Sequence, residues 1–367
     1  MRIARVGQSI IGRTLALPVY AADGRILLNS GTVLTQSYVE GLERWGYSRI
    51  AIEDEIIRGI RHSDPVSVLT RVKATGAVRM ALLEAERSHT FDITGPHSAV
   101  ESILQDIQSN RNVVHSLCAV RSFDDYTYVH SVNVCILCIL IGQVLGYNRY
   151  DLKKLATGAL LHDLGKIHVP SSILNKPGQL TNEEFEIVRT HSYAGFEMLS
   201  QKTSAVSAHV ALQHHERTDG SGYPRGLKNG EIHEYGRIAA IADVYDALTT
   251  DRPYREALPP GDALSLLSRP STGMDQSLLH ILMSRIALYS EGAVLLFEDG
   301  RVAVVTEQTH DPMRPRVRVL STHDGVFVEP HDIDLAVHSE IAIHKVLDDY
   351  PKELAQSIEK HLLCENN

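Results

Sequence analysis

Cysteine is scarce in this chain. Four residues of 367, Cys118, Cys135, Cys138 and Cys364, are too few and too scattered for a disulfide framework and point to a reducing cytoplasm. An excess of positive charge is also missing: 36 Lys and Arg stand against 45 Asp and Glu, a net charge of −9. Non-specific nucleic-acid binding draws on phosphate neutralisation, so nucleic acid is excluded as a partner class. Long apolar runs are absent too. The longest, 132–145, is interrupted by Asn133 and Gln143 and falls short of the ~20 residues that span a bilayer. It reads as a buried core helix, and no membrane association is expected. The opening MRIARVGQSIIGRTL has no sustained apolar core and is not a signal peptide. Internal repeats and low-complexity tracts are lacking. What remains, 43% hydrophobic and 22% charged, is the composition of a globular cytoplasmic protein of two or three domains.

Histidine is abundant: nineteen in all, seven of them between His130 and His215. The surrounding pattern divides the chain into four segments. Residues 1–58 read as a small α+β module, with strands at 15–20, 25–28 and 48–52, a turn at Asp23-Gly24 and a helix at 35–45. Residues 59–115 form a helical connector broken at Thr94-Gly95-Pro96. Residues 116–288 are helical almost throughout, with a Gly/Pro-rich insertion at 217–230. Residues 289–367 switch to strand periodicity, at 293–297, 302–306 and 316–320, and close on a helix at 351–363. The fold class is mainly α, with a small module at each end.

In the third segment each of five helices turns a histidine or acid inward. The helix at 126–146 places His130 in line with Val134, Leu137, Cys138 and Ile141. The helix at 151–163 ends on His162 and Asp163, and a carboxylate at the end of an apolar face is costly unless paired or metal-bound. Thr181 and Glu184 form a capping box that opens a helix whose face continues through Phe185, Val188 and His191. The helix at 205–216 ends in His214 and His215, and that at 237–249 carries Asp243 and Asp246 on one face. A single core-facing histidine is more often hydrogen-bonded structure than a ligand. Five successive helices converging this way are hard to explain by packing, since neutral fillers were available at every position. The set His130, His162, Asp163, His191, His214, His215 and Asp243 exceeds one coordination sphere and suits two divalent metal ions bridged by Asp163. Imidazole and carboxylate without thiolate favour iron or manganese, with zinc also compatible. Cys135 and Cys138 have no second CxxC and lie on an apolar helix, so they read as small buried hydrophobes.

The ordered blocks DDYTYVHSVNV, LLHDLGKIHVP, ILNKPGQLTNEEFEIVRTHSYAG, HHERTDGSGYPRGLKNGEI and RIAAIADVYDALTTDRPYREA resemble the HD-GYP family over residues 120–285, about half the chain. The resemblance implies an HD-type helical bundle at 116–288. It also implies a bacterial metal-dependent phosphodiesterase that hydrolyses cyclic di-GMP to pGpG and, in some members, to GMP. Carried over, one metal would be held by His130, His162, Asp163 and Asp243, the other by Asp163, His191, His214 and His215. Arg252 and Arg255 would contact substrate, and Lys166 would stand near the phosphate beside Asp163 in a catalytic role. Members with a third metal use a Glu where this chain has Tyr126, so two are expected. The N-terminal segment weakly resembles a module that often precedes this domain, and no receiver-type phosphorylation domain is evident.

The chemistry suits the residues. Two cations about 3.5–4 Å apart lower the pKa of a bridging water and clamp the attacking and phosphoryl oxygens. A second phosphate can meet the planar forks of Arg252 and Arg255. Asp246, one turn after Asp243, is placed to orient a ligand. In the loop, Gly222 and Pro224 are turn residues, Asp219 orders the backbone, and Tyr223 is open to stacking on a base or binding a signalling-protein partner, with partner binding and loop ordering the expected roles. Two alternatives stay open at this stage: a phosphohydrolase for another cyclic or linear nucleotide, and a signalling adaptor with little catalysis. A homodimer is a candidate assembly.

Overall fold

The computed structural model describes residues 1–21, 25–57, 60, 64–110, 126–250 and 255–365, without the side chains of 126 and 363–365. The Asp23-Gly24 turn, Cys118, Arg252 and the side chain of Tyr126 lie outside the described residues.

Two compact units emerge. Met1–Asp64 and Ile286–Asn367 make one; Pro65–Arg111 and Asp125–Arg285 make the other. In the first unit, β1 (Arg2–Arg5) pairs antiparallel with β4 (Arg49–Ile52), β2 (Val19–Tyr20) pairs with β3 (Ile26–Leu28), and α1 (Gln36–Arg44) packs its buried Val39 and Leu42 into their core. Thr35 caps α1 by accepting from the Tyr38 N–H. The C-terminal part is a five-stranded antiparallel sheet built from β5 (Val294–Phe297), β6 (Val302–Glu307), β7 (Arg316–Ser321), β8 (Phe327–Asp334) and β9 (Ile343–Leu347), ordered β8-β7-β6-β5-β9. The strand periodicity foresees β5 to β7; β8 and β9 are additional and largely exposed, so they lack the apolar alternation that marks a half-buried strand. The closing helix α13 (Lys352–Glu365) sets Leu354 and Ile358 against Ile56, Ile57, Val294, Val302, Val304 and Leu320. The first and last sequence segments therefore share one core.

The second unit is helical. Helix α2 (Val68–Ser88) ends at His89, which adopts the left-handed conformation (φ 55°), and α3 begins at Thr94 and runs to Ser109. Thr94-Gly95-Pro96 is thus the first turn of a helix and not a break. A proline is tolerated there because the first-turn N–H has no intrahelical partner. Helix α4 (Tyr126–Val144) is central, with Val132 to Ile141 almost fully enclosed. It is long and apolar enough to cross a membrane, yet 72% of its 127–144 stretch is buried inside the protein. Helix α5 (Arg149–Leu160), capped by Asn148, packs on α4. The short α6 (Ser171–Leu174) leads to α7 (Asn182–Arg189), where the Thr181–Glu184 capping box forms as the spacing predicts. The helix expected to run on through His191 instead stops at Thr190, and α8 (His191–Ser200) starts anew. Helices α9 (Ala205–Gln213), α10 (Glu234–Thr249), α11 (Pro260–Leu267) and α12 (Gln276–Met283) complete the unit.

Candidate metal centre

The centre gathers at the ends of α5, α8 and α9 and on the inward faces of α4 and α10. His162 and Asp163 follow α5 in a tight turn that continues into a 3-10 helix at Leu164–His168. Gly165 lets α8 reach that turn: a Cβ there would lie 2.0 Å from the His191 carbonyl oxygen. All seven predicted side chains come together. Ligand atoms of Asp163, His191, His214 and His215 lie within 4.8 Å of one another, as do those of His130, His162 and Asp163. Asp243 closes the set, with Oδ1 3.0 Å from His130 Nε2 and Oδ2 3.8 Å from His215 Nδ1.

Backbone carbonyls fix the tautomers. The Nδ1 of His162 lies 2.8 Å from Ala159 O, that of His191 2.6 Å from Val188 O, and that of His214 3.1 Å from Val210 O. A carbonyl only accepts, so each Nδ1 carries the proton and each Nε2 offers a lone pair to the centre. The Nε2 atoms of His191 and His214 face each other at 3.4 Å. Burial pushes the His191 and His214 imidazoles below their ordinary range and His215 down to about 3, keeping all three neutral.

The carboxylates stay charged. Burial pushes the Asp163 carboxyl up, but Lys166 and His162 override it and hold it well below the usual range. Lys166 Nζ donates to Asp163 Oδ2 at 2.5 Å. That same oxygen lies 3.4 Å from His162 Nε2, while Oδ1 lies 3.7 and 3.8 Å from the Nε2 atoms of His191 and His214. Asp163 therefore turns one oxygen to each half of the cluster. His130 is opposite in kind: burial depresses it, but bonds to Asp243 and Asp246 prevail and raise it to about 9.

The set fits divalent metals. His162 Nε2 and Asp163 Oδ1 are fully buried with no hydrogen-bond partner among the described residues, a costly state that coordination would relieve. The donors are imidazole nitrogens and carboxylate oxygens without thiolate. Cys135 and Cys138 are free and buried.

Around the cluster, Asp246 accepts from His130 Nδ1 at 2.8 Å and from Asn133 Nδ2 at 2.8 Å. Asn133 Oδ1 in turn accepts from Arg71 at 2.9 Å. Asn133 and Arg71 escape a sequence reading because Asn133 reads only as a polar interruption of an apolar run and its partner Arg71 lies 62 residues away. The 217–230 loop folds back over the site. Gly222 allows it: a Cβ would meet the Arg217 nitrogen at 2.4 Å and the His215 carbonyl oxygen at 2.5 Å. Tyr223, joined to Pro224 by a cis bond, donates its N–H to His215 O and stacks on the His215 ring at 4.5 Å. Asp219 orders the turn by accepting from the Ser221 N–H and hydroxyl. Glu216, which the helix faces do not single out, is 2% exposed and clamps the loop by accepting from the Arg225 and Leu227 N–H groups. Its signal is position alone, directly after His214-His215. Arg255 does not join the seven: it is exposed, and its guanidinium bonds the Ala247 carbonyl.

A family model described as HD domain matches residues 113–278, and one described as KOW domain associated with HD domain matches 294–357. A cyclic di-GMP phosphodiesterase of Pseudomonas aeruginosa is 35% identical over 292 residues, 78% of this chain and 69% of that protein. A cyclic di-GMP phosphodiesterase of Thermotoga maritima is 45% identical over 37% of this chain and 38% of its own. A 3'3'-cGAMP-specific phosphodiesterase of Vibrio cholerae is 37% identical over 46% of this chain and 38% of its own. With an HD-domain match across the cluster and a relative that aligns over more than two thirds of both proteins, the chain belongs to the HD-GYP family of HD-domain phosphodiesterases.

Proposed function

We propose that this protein is a metal-dependent phosphodiesterase that hydrolyses cyclic di-GMP to pGpG, with GMP as a further product open to test. The observation that carries the reading is Asp163, a buried carboxylate with one oxygen turned to His162 and the other to His191 and His214. Two divalent ions, iron or manganese by donor chemistry, fit His130, His162, Asp163 and Asp243 on one side and Asp163, His191, His214 and His215 on the other. Bound there, such ions supply an activated water and neutralise phosphoryl charge.

The chain's own side chains do the rest. Lys166 places a cation on Asp163 where a phosphoryl oxygen would approach. Asp246 holds the His130 ring in one orientation. Tyr223 covers His215 and restricts water. Arg252 and Arg255 are assigned the phosphate that is not cut; Arg255 must leave the Ala247 carbonyl to reach it. The 217–230 loop also remains the proposed contact for a signalling partner. The reading places the protein in the cytoplasm, where its buried thiols stay reduced.

A second reading, a mixed cyclic dinucleotide as substrate, is favoured by the Vibrio cholerae relative named for 3'3'-cGAMP. The test is anaerobic loading with iron(II) or manganese, then product analysis with each cyclic dinucleotide in parallel. Faster turnover of cyclic di-GMP with release of pGpG is expected. Preference for 3'3'-cGAMP selects the second reading, and no turnover of either rejects both.

A further inference from the structure

Helix α7 is ordered without being buried. None of its side chains is enclosed, and Phe185 and Ile187 are 44% and 39% exposed. Polar contacts hold it instead. The Thr181–Glu184 capping box closes its first turn, and Lys176 Nζ binds both Glu184 carboxylate oxygens at 2.8 and 2.7 Å. Arg189 is tied to Glu186 at 2.5 Å. Phe185 is thereby left 44% exposed, although an apolar helical face ordinarily seeks a core.

That face adjoins the metal centre. The Phe185 ring meets Tyr223 edge to face at 5.8 Å, and Tyr223 lies nearly parallel to His215, 29° between planes. The Arg189 guanidinium stands 5.0 Å from the Tyr223 ring centre and 5.9 Å from that of Phe185. Planar groups thus run continuously from a candidate ligand imidazole to the surface, ending in an exposed ring and a planar cation.

We propose that Phe185 and Arg189 form a stacking seat for one purine base of the substrate whose phosphate lies at the metal centre, an inference that rests on the function proposed above. A nucleobase is one ribose away from its phosphate, so a base must settle at the rim of the site that holds the phosphate. Aromatic rings and arginine are the groups that accept a base by its flat face, whatever its hydrogen-bonding edge. Phe185 and Arg189 act by positioning substrate.

The test compares wild-type protein, Phe185→Ala, Phe185→Trp and Arg189→Ala, each metal-loaded, for metal content, helicity, kcat and KM with cyclic di-GMP. Phe185→Ala is expected to raise KM about 5- to 140-fold, the range of one stacked base, with kcat and metal content held. Phe185→Trp is expected to restore a KM at or below that of the wild type, and Arg189→Ala to raise it. A KM for Phe185→Ala within twofold of an active wild type overturns the seat, as does a joint loss of metal, kcat and helicity. A wild type that neither binds nor cuts cyclic di-GMP defeats the functional reading first and the seat with it.

Discussion

Asp163 is the residue on which the site turns. Ligand atoms of five histidines, His130, His162, His191, His214 and His215, lie within 4.8 Å of its carboxylate, and each was visible in the sequence because it sits on the inward face or at the end of a helix. Glu216 was not, since the helix expected over 205–216 ends at Gln213 and leaves it off any helix face, although its carboxylate holds two loop N–H groups. Substitution separates the residues by role. Asp163→Ala is expected to remove both metal ions, because both halves of the cluster converge on that carboxylate. His214→Ala is expected to weaken mainly the second ion. Elemental analysis of the purified variants reads this directly; full metal content in Asp163→Ala would end the bridging assignment. Protons provide a second test at this scale. Without metal, His130 holds its proton up to a pH of about 9, whereas His214 and His215 are already neutral. A coordinated imidazole must give that proton up. Metal loading at pH 7.5 is therefore expected to release about one proton from His130, and apparent affinity to fall as pH is lowered from 9. Calorimetry in buffers of different ionisation enthalpy measures it, and loading with no proton release would contradict the His130 assignment.

At the scale of elements, the site depends on close backbone approaches that composition does not reveal. The Thr181–Glu184 box was legible because capping is local. The stop at Thr190 was not, because Phe185, Val188 and His191 keep helical spacing across it. The N-terminal strand β1 also escaped notice, since its partner β4 lies far along the chain and pairing carries no local signature. Gly222 shows what the loop requires. Gly222→Ala sets a Cβ against main-chain atoms of Glu216 and Arg217 that have no room to yield. It is expected to cost about 1–3 kcal/mol of stability and to lift Tyr223 from His215, lowering turnover. Thermal unfolding and activity of this variant check both effects; wild-type values for both would show that the loop does not need the close approach.

For the whole molecule, the sequence divides more finely than the fold does. The helical connector belongs to the HD unit, where Arg71 of α2 reaches Asn133 of α4 behind the metal centre. The first and last segments share the core around Ile57, Val304 and Leu354. Contacts between segments so far apart leave no trace in local periodicity. The helical unit was legible because its chemistry is repeated helix after helix. The central claim is that this unit carries a two-metal hydrolytic site. Titrating metal-free protein anaerobically with iron(II) or manganese while following cyclic di-GMP hydrolysis tests it most directly. Activity is predicted to rise until two equivalents are bound and then level off, and a plateau at one equivalent, or a requirement for three, would contradict the account.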